Sequence, residues 1–262
     1  MTVQKGISKI ISNTAYSTYE AKLEKEVLSH PPPEHVAIIM DGNRRFAKEM
    51  GMGGGDGHLR GREKLEEVME WCHELGIRIL TVYAFSTENF NRNSEEVELL
   101  MELFEESLRS LMEEERIHQN RIRIKILGNR ELLPQNIQDA IEELEAATAD
   151  YDAYFYNVAI AYGGREELVH AFRRIAAKVE EGCIKAEEID EDMISQHMYT
   201  AHVPDPDLVL RTSGEVRISN FLLWQMAYSE LYFTDVYWPG FRRIDFMRAV
   251  RAYQQRKRRY GK

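Results

Sequence analysis

The sequence holds very little cysteine: Cys72 and Cys183 are the two thiols in 262 residues. They lie far apart and in no metal-ligand spacing, which favours reduced core thiols in a cytoplasmic protein over a disulfide or a redox site. Long hydrophobic runs are missing as well. No stretch approaches the roughly 18 apolar residues of a membrane-spanning helix, and no signal peptide is expected at the amino end. A soluble protein follows, with room for peripheral contact at a membrane surface. Positive charge is in deficit, 34 Lys and Arg against 44 Asp and Glu, for a formal net charge of −10. That balance speaks against a general nucleic-acid binder. Internal repeats, low-complexity segments and linkers are also lacking, so a single domain is expected after an amino-terminal extension.

What is present is a strand–helix alternation. Residues 1–34 read as a helical extension: "ISKIISNTAYSTYEAKL" places Ile7, Ile10, Ile11 and Tyr16 on one side, as for a helix packed on the domain. "HPPPEH" ends it, because proline cannot continue a helix. Apolar runs suited to buried strands follow at 36–40, 79–85, 121–127, 155–162, 207–212 and 232–237. Helical patterns fall at 61–75, 94–119, 134–149, 164–181, 218–230 and from 244 onward. In the longest, Val97, Leu100, Met101, Phe104, Leu108, Leu111 and Met112 make one stripe. Its glutamates read as a solvated face. The pattern predicts an α/β fold over 35–262, a mostly parallel sheet of about six strands flanked by helices. Ligands in such folds gather at the carboxyl ends of the strands.

Three polar clusters fall just after predicted strands. In "MDGNRRFAK", Asp41, Gly42, Asn43, Arg44 and Arg45 sit where strand gives way to helix. Helix-start amides and two guanidiniums make an anion site. A carboxylate there would repel phosphate unless a divalent cation lay between, so Asp41 suggests Mg²⁺ bridging to a diphosphate; a capped turn is the simpler alternative. In "AFSTENFNRN", Ser86, Thr87, Glu88, Asn89 and Arg92 surround Phe90, either as ligand contacts or as a capped loop. In "LRTSGEVRISNF", Arg211 and Arg217 flank a glycine turn before Ser219 and are placed to grip one anion. His58 adds a donor, and Glu230 reads as an acid within an apolar helix, either paired or a second cation ligand.

Taken with "NVAIAYGGREELV", "SELYFTDVYWP" and the terminal "RRYGK", these stretches resemble the cis-prenyltransferases, the undecaprenyl diphosphate synthase family, over about 35 to 261. The resemblance implies elongation of an allylic diphosphate with isopentenyl diphosphate, forming Z double bonds and releasing diphosphate. It implies Asp41 as the Mg²⁺-linked catalytic aspartate, with Glu230 as a metal-site carboxylate. Gly42, Asn43, Arg44, Arg45, Phe46 and His58 would hold the allylic diphosphate. Arg211, Arg217, Ile218 and Ser219 would hold that of isopentenyl diphosphate. Ser86, Thr87, Glu88, Asn89, Phe90 and Arg92 match a mobile substrate loop in which Asn89 assists proton removal. It further implies a homodimer in which Arg259 and Gly261 reach the neighbouring site.

The growing chain needs an apolar tunnel, for which Ala84, Phe85, Leu100, Met101, Phe104 and the aromatics near 154 to 156 are candidates. Tyr154 and Tyr156 add bulk there and point to a product of medium length. Gly54 stands where many family members carry an arginine that grips the allylic substrate, so Arg44, Arg60 or Arg62 is expected to compensate in part. Two rival readings stay open: prenyl transfer to another acceptor, and the non-catalytic subunit of a heterodimer.

Overall fold

The computed structural model describes residues 18–53 and 55–256. After a helix α1 over 18–28, the elements run β1 (His35–Ile39), α2 (Asn43–Glu49), α3 (Asp56–Glu74), β2 (Ile79–Ser86), α4 (Ser94–Glu113) and α5 (Glu115–Gln119). Then come β3 (Ile122–Leu127), α6 (Gln135–Ala147), β4 (Tyr154–Tyr162), α7 (Gly164–Glu180), α8 (Glu191–Ser195), β5 (Leu208–Arg211), β6 (Glu230–Phe233) and α9 (Arg243–Gln255). Each strand pair is parallel, and the sheet has six strands in the order β3-β4-β2-β1-β5-β6.

Burial explains the strand composition. Val36, Ala37 and Ile38 are fully buried, as expected of a central strand covered on both faces, where alternation would leave a polar side chain dry. The chain leaves β1 toward β2 on one side and returns through β5 on the other. The point where strand order reverses therefore lies between β1 and β5, and a crevice opens beyond their carboxyl ends. Residues Ile39 and Arg211 are register partners there, so the polar segments after both strands meet.

The structure corrects several expectations. Residues 218–230 do not form a helix but a series of turns, because Ser219, Asn220 and Leu222 adopt φ of 47°, 63° and 42°, which no right-handed helix accepts. Glu230 consequently begins a strand rather than sitting in a helix. The long helix breaks at Glu114, which is extended (φ −75°, ψ 110°). Cys72 is buried, but Cys183 is exposed in the turn after α7, not a core thiol; both are free. Helix α1 buries Leu23 and Val27 and meets α9 through Glu24–Arg243; Ile7, Ile10, Ile11 and Tyr16 lie outside the described residues.

Candidate active site

Asp41 lies one residue beyond β1, after Met40, and its backbone is pinned before its side chain is considered. The Thr212 hydroxyl accepts from Asp41 N at 2.9 Å and donates to Asp41 O at 2.7 Å. Trp238 N donates to the same carbonyl at 3.0 Å. Gly42 then turns at φ 106°, and a Cβ there would lie 2.8 Å from Tyr237 Cδ1. Only glycine takes this conformation in this space. The turn releases α2, whose first residues are Asn43, Arg44 and Arg45.

Both carboxylate oxygens of Asp41 are engaged. Arg211 Nη2 donates to Oδ2 at 2.8 Å, and Arg45 Nη2 donates to Oδ1 at 3.1 Å. Burial alone would raise the Asp41 pKa, but the hydrogen bonds and charges of Arg211 and Arg45 outweigh it and hold the group below its ordinary value. Arg211 is 4% exposed. Its Nη1 donates to Arg217 O and Ser219 Oγ at 2.5 and 2.7 Å, and its Nε is a buried donor without a partner. Arg45 also reaches Ser213 Oγ at 2.7 Å and Glu215 at 3.1 Å.

Beside this cluster lies an open cup lined by Asp41, Gly42, Asn43, Arg44, Arg45, Lys48, His58 and Arg92. One carboxylate, Glu96, collects two arginines and a histidine of the cup at Oε1: Arg92 at 3.1 Å, His58 at 3.5 Å and Arg44 at 3.7 Å. Burial pushes the His58 pKa down, with the neighbouring Glu96 carboxylate opposing. Buried Asn43 Oδ1 lacks a hydrogen-bond partner, and His58 Nε2 has only its long contact to Glu96, so the polar lining at this point is incompletely satisfied within the chain.

The cup opens into an apolar chamber, with Met40, Asn43 and His58 shared between the two. Helices α3 and α4 wall it with Leu65, Met69, Leu100 and Phe104, and the sheet floors it with Ala84, Tyr156, Val158 and Ile160. Of the expected tunnel residues, Ala84, Leu100, Phe104 and Tyr156 line it. Phe85 and Met101 do not. Phe85 sits behind the wall, edge-on to Phe90 at 4.9 Å and to Phe104 at 5.9 Å. Tyr154 instead packs against His73, with ring centroids 5.0 Å apart and planes tilted by 48°.

The structure thus brings Asp41, Arg45, Arg211 and Ser219 into contact and places Gly42, Asn43, Arg44, His58 and Arg92 around the cup. Other expected site residues go elsewhere. Arg217 is 60% exposed and pairs with Glu215, lending Arg211 only its carbonyl. Ile218 O accepts from Phe221 N, and Phe46 packs beside Gly240. Ser86 and Asn89 close a capping box on the 3₁₀ turn Thr87–Asn91, with Asn89 Oδ1 taking Ser86 N at 3.1 Å; Thr87 and Glu88 bond each other. Here the capped-loop alternative describes the geometry. Glu230 faces Leu208 at the amino end of the sheet, three residues short of the Arg211 level and so about 10 Å from the rim, and it pairs with Arg256. Within one chain it does not share a metal site with Asp41. Arg60 pairs with Glu63, and Arg62 with Glu66 and Glu106, so of the three proposed substitutes only Arg44 faces the cup. Gly54, Arg259 and Gly261 lie outside the described residues.

Three residues escaped the sequence reading. Lys48 follows Arg44 by four, the spacing that puts two cations on one helix face. Glu96 follows Arg92 by four and was absorbed into an acid run read as solvated. Thr212 carried no signal, since a threonine ending a strand is ordinary. Among the described residues no three His, Cys, Asp or Glu cluster as a self-sufficient metal cage. The Asp41 carboxylate at the edge of the cup still fits Mg²⁺, which commonly takes one or two carboxylates and completes its shell with substrate phosphate and water.

The family model described as putative undecaprenyl diphosphate synthase matches residues 39–261. The chain is 56% identical over 256 residues to a tritrans,polycis-undecaprenyl-diphosphate synthase (geranylgeranyl-diphosphate specific) of Pyrococcus horikoshii, covering 98% of this chain and 97% of that one. The protein of the same name from Methanocaldococcus jannaschii is 53% identical, over 93% and 88%. Among solved structures, lavandulyl diphosphate synthase from Lavandula x intermedia, in complex with dimethylallyl diphosphate, superposes with a TM-score of 0.85 at 40% identity, over 88% of this chain and 99% of that one. A probable undecaprenyl diphosphate synthase from Campylobacter jejuni gives 0.72 at 32%, with the same coverage. A cationic cup at the β1–β5 crevice, an apolar chamber beneath it and matches spanning nearly the whole chain agree: this chain belongs to the undecaprenyl diphosphate synthase family of cis-prenyltransferases.

Proposed function

We propose that this protein extends an allylic diphosphate with isopentenyl diphosphate to a Z-polyprenyl diphosphate, releasing diphosphate. The continuity of cup and chamber carries the reading. A ligand with an anionic head and a long apolar tail fills both at once, and each part meets the chemistry it needs. Asn43, Arg44, Arg45, Lys48, His58 and Arg92 receive the allylic diphosphate; its tail descends past Met40 toward Tyr156. Arg211, with its unpartnered Nε, and Ser219 receive the second diphosphate, and Arg217 swings from Glu215 to join them.

Asp41 stands between the two anion positions. When bound there with phosphate oxygens, Mg²⁺ would neutralise charge as diphosphate departs. Fixed guanidiniums do the same without reorganising, which favours the charge-separated transition state over the ground state. The apolar wall excludes water from the allylic cation, so the alkene is the nucleophile at hand. The new C–C bond replaces the allylic C–O bond, the departing diphosphate can take the proton that the adduct loses, and Asn89 holds the Ser86–Arg92 loop in shape through its bond to Ser86 N.

The names of the archaeal relatives support geranylgeranyl diphosphate as starter and a product of undecaprenyl length. Family membership supports a homodimer. No helix among the described residues is long and apolar enough to cross a membrane. The test is incubation of the purified chain alone with labelled isopentenyl diphosphate, Mg²⁺ and allylic starters of increasing length, with the products sized. Diphosphate release with a ladder of Z-products supports the reading. No release points to a non-catalytic subunit, and release without the ladder points to another acceptor.

A further inference from the structure

Asn220 stands where three segments meet: the turn after Ser219, the start of α7 and the Ser86–Arg92 loop. Its backbone carbonyl accepts from Gly164 N at 2.7 Å. Its Oδ1 accepts from Arg165 N at 2.9 Å, and its Nδ2 donates to Glu88 Oε1 at 3.1 Å. The amide orientation is not arbitrary. A backbone N–H only donates, so it demands the oxygen, and the NH₂ must face the carboxylate.

The surroundings are shaped to this side chain. A Cβ at Gly163 would lie 2.8 Å from Asn220 Nδ2 and 2.9 Å from Thr87 Oγ1, and one at Gly164 3.0 Å from Asn220 O. The paired glycines of "YGG" are thus required by close approach. Ser219, Asn220 and Leu222 all take left-handed backbone conformations, each disfavoured for a side-chain-bearing residue and held only when neighbours over-determine it. The Asn220 bonds supply part of that hold. The rest comes from Phe221 stacked on Tyr83 at 4.6 Å and from the Tyr83 hydroxyl near Ser219 O at 3.4 Å.

We infer that Asn220 is a positioning residue that locks the Ser219–Arg211 side of the site to the Ser86–Arg92 loop, so that the two substrate-bearing segments move as one. It acts through its neighbour: Ser219 Oγ accepts from Arg211 Nη1, and Arg211 Nη2 reaches Asp41. A diphosphate arriving at Arg211 shifts Ser219, and the Asn220–Glu88 bond carries that shift to the loop bearing Asn89 and Arg92. The inference rests on the reading that isopentenyl diphosphate binds at Arg211.

Asn220→Asp keeps the oxygen that Arg165 N requires but turns a second oxygen toward Glu88, replacing a donor by a like charge. Losing one charge-assisted bond raises the KM for isopentenyl diphosphate by about tenfold, with the KM for the allylic substrate changed less than twofold. Glu88→Gln in that background restores a donor facing an acceptor and returns the KM to near the parent value. Glu88→Ala, which leaves the strained turn untouched, raises the same KM even where N220D fails to fold. Independently of turnover, inorganic pyrophosphate protects residues 86–92 from hydrogen exchange in the parent but not in N220D or E88A. Equal KM shifts for both substrates, no rescue by E88Q, or unchanged protection would overturn the inference. A parent that never elongates would instead refute the functional reading.

Discussion

Arg211 donates from Nη2 to Asp41 Oδ2 across 2.8 Å, joining the end of β5 to the turn that follows β1. The bond ties the carboxylate proposed for the metal to the guanidinium proposed for the second diphosphate. Asp41→Asn keeps the shape and removes the charge. Turnover should fall on the order of 10²–10³-fold, with the circular dichroism spectrum unchanged. Arg211→Lys cannot serve Asp41, Ser219 and the Arg217 carbonyl from one fork, so the KM for isopentenyl diphosphate should rise at least about tenfold. Full turnover by D41N would remove Asp41 from the mechanism.

Tyr154 and Tyr156 separate by position. Tyr156 floors the chamber, whereas Tyr154 packs at a tilt against His73. Tyr156→Ala should lengthen the products by one or more five-carbon units, and Tyr154→Ala should leave the ladder as it was. Sizing labelled products from both variants checks this, and identical ladders from the two would sink the assignment.

Gly42→Ala introduces a methyl 2.8 Å from Tyr237 Cδ1 at φ 106°. Backbone strain alone costs about 1–3 kcal/mol, and relief would tilt α2 and splay Arg44, Arg45 and Lys48. The expected result is a lower urea midpoint with a raised KM for the allylic substrate. A changed midpoint with unchanged KM would show that the tilt does not reach the cup.

Two histidines make the fold acid-sensitive. Burial lowers the His35 pKa to about 4, with its Pro204 hydrogen bond opposing. Burial, with Lys125 and Arg123, lowers His202 to about 4. Both rings are neutral when folded and titrate near 6.5 when unfolded, so falling pH favours the unfolded chain. Their contribution is complete above about pH 6.5 and is lost as pH falls toward 4, amounting to about 3 kcal/mol for His35 and less for the partly exposed His202. Urea midpoints at pH 7 and near pH 4.5 measure the loss, and His35→Gln should flatten the slope relative to the parent.

The strands were legible because a central parallel strand is apolar at most positions, with His35, Thr81 and Asn157 the buried polar exceptions in β1, β2 and β4. Segment 218–230 was misread for the converse reason. "FLLWQMAY" has helical composition, yet left-handed residues on each side of Phe221 are imposed by contacts with α7 and Tyr83 far away in sequence. The cup was legible where its residues are adjacent, from Asp41 to Arg45. It was not where tertiary pairing decides orientation: Arg217 turns to Glu215, and Glu96 turns inward from an otherwise solvated acid run.

The joined cup and chamber make extension a ratchet. Each cycle lengthens the tail held among Leu100, Phe104 and Val158, and burying five more carbons contributes up to about 4 kcal/mol. The head must leave one cationic seat for the other while the tail keeps its grip, so the intermediate holds on more firmly with every turn. The advantage ends when the next unit has no wall left to meet. At that point further growth pushes apolar surface into water, and release begins to compete with addition.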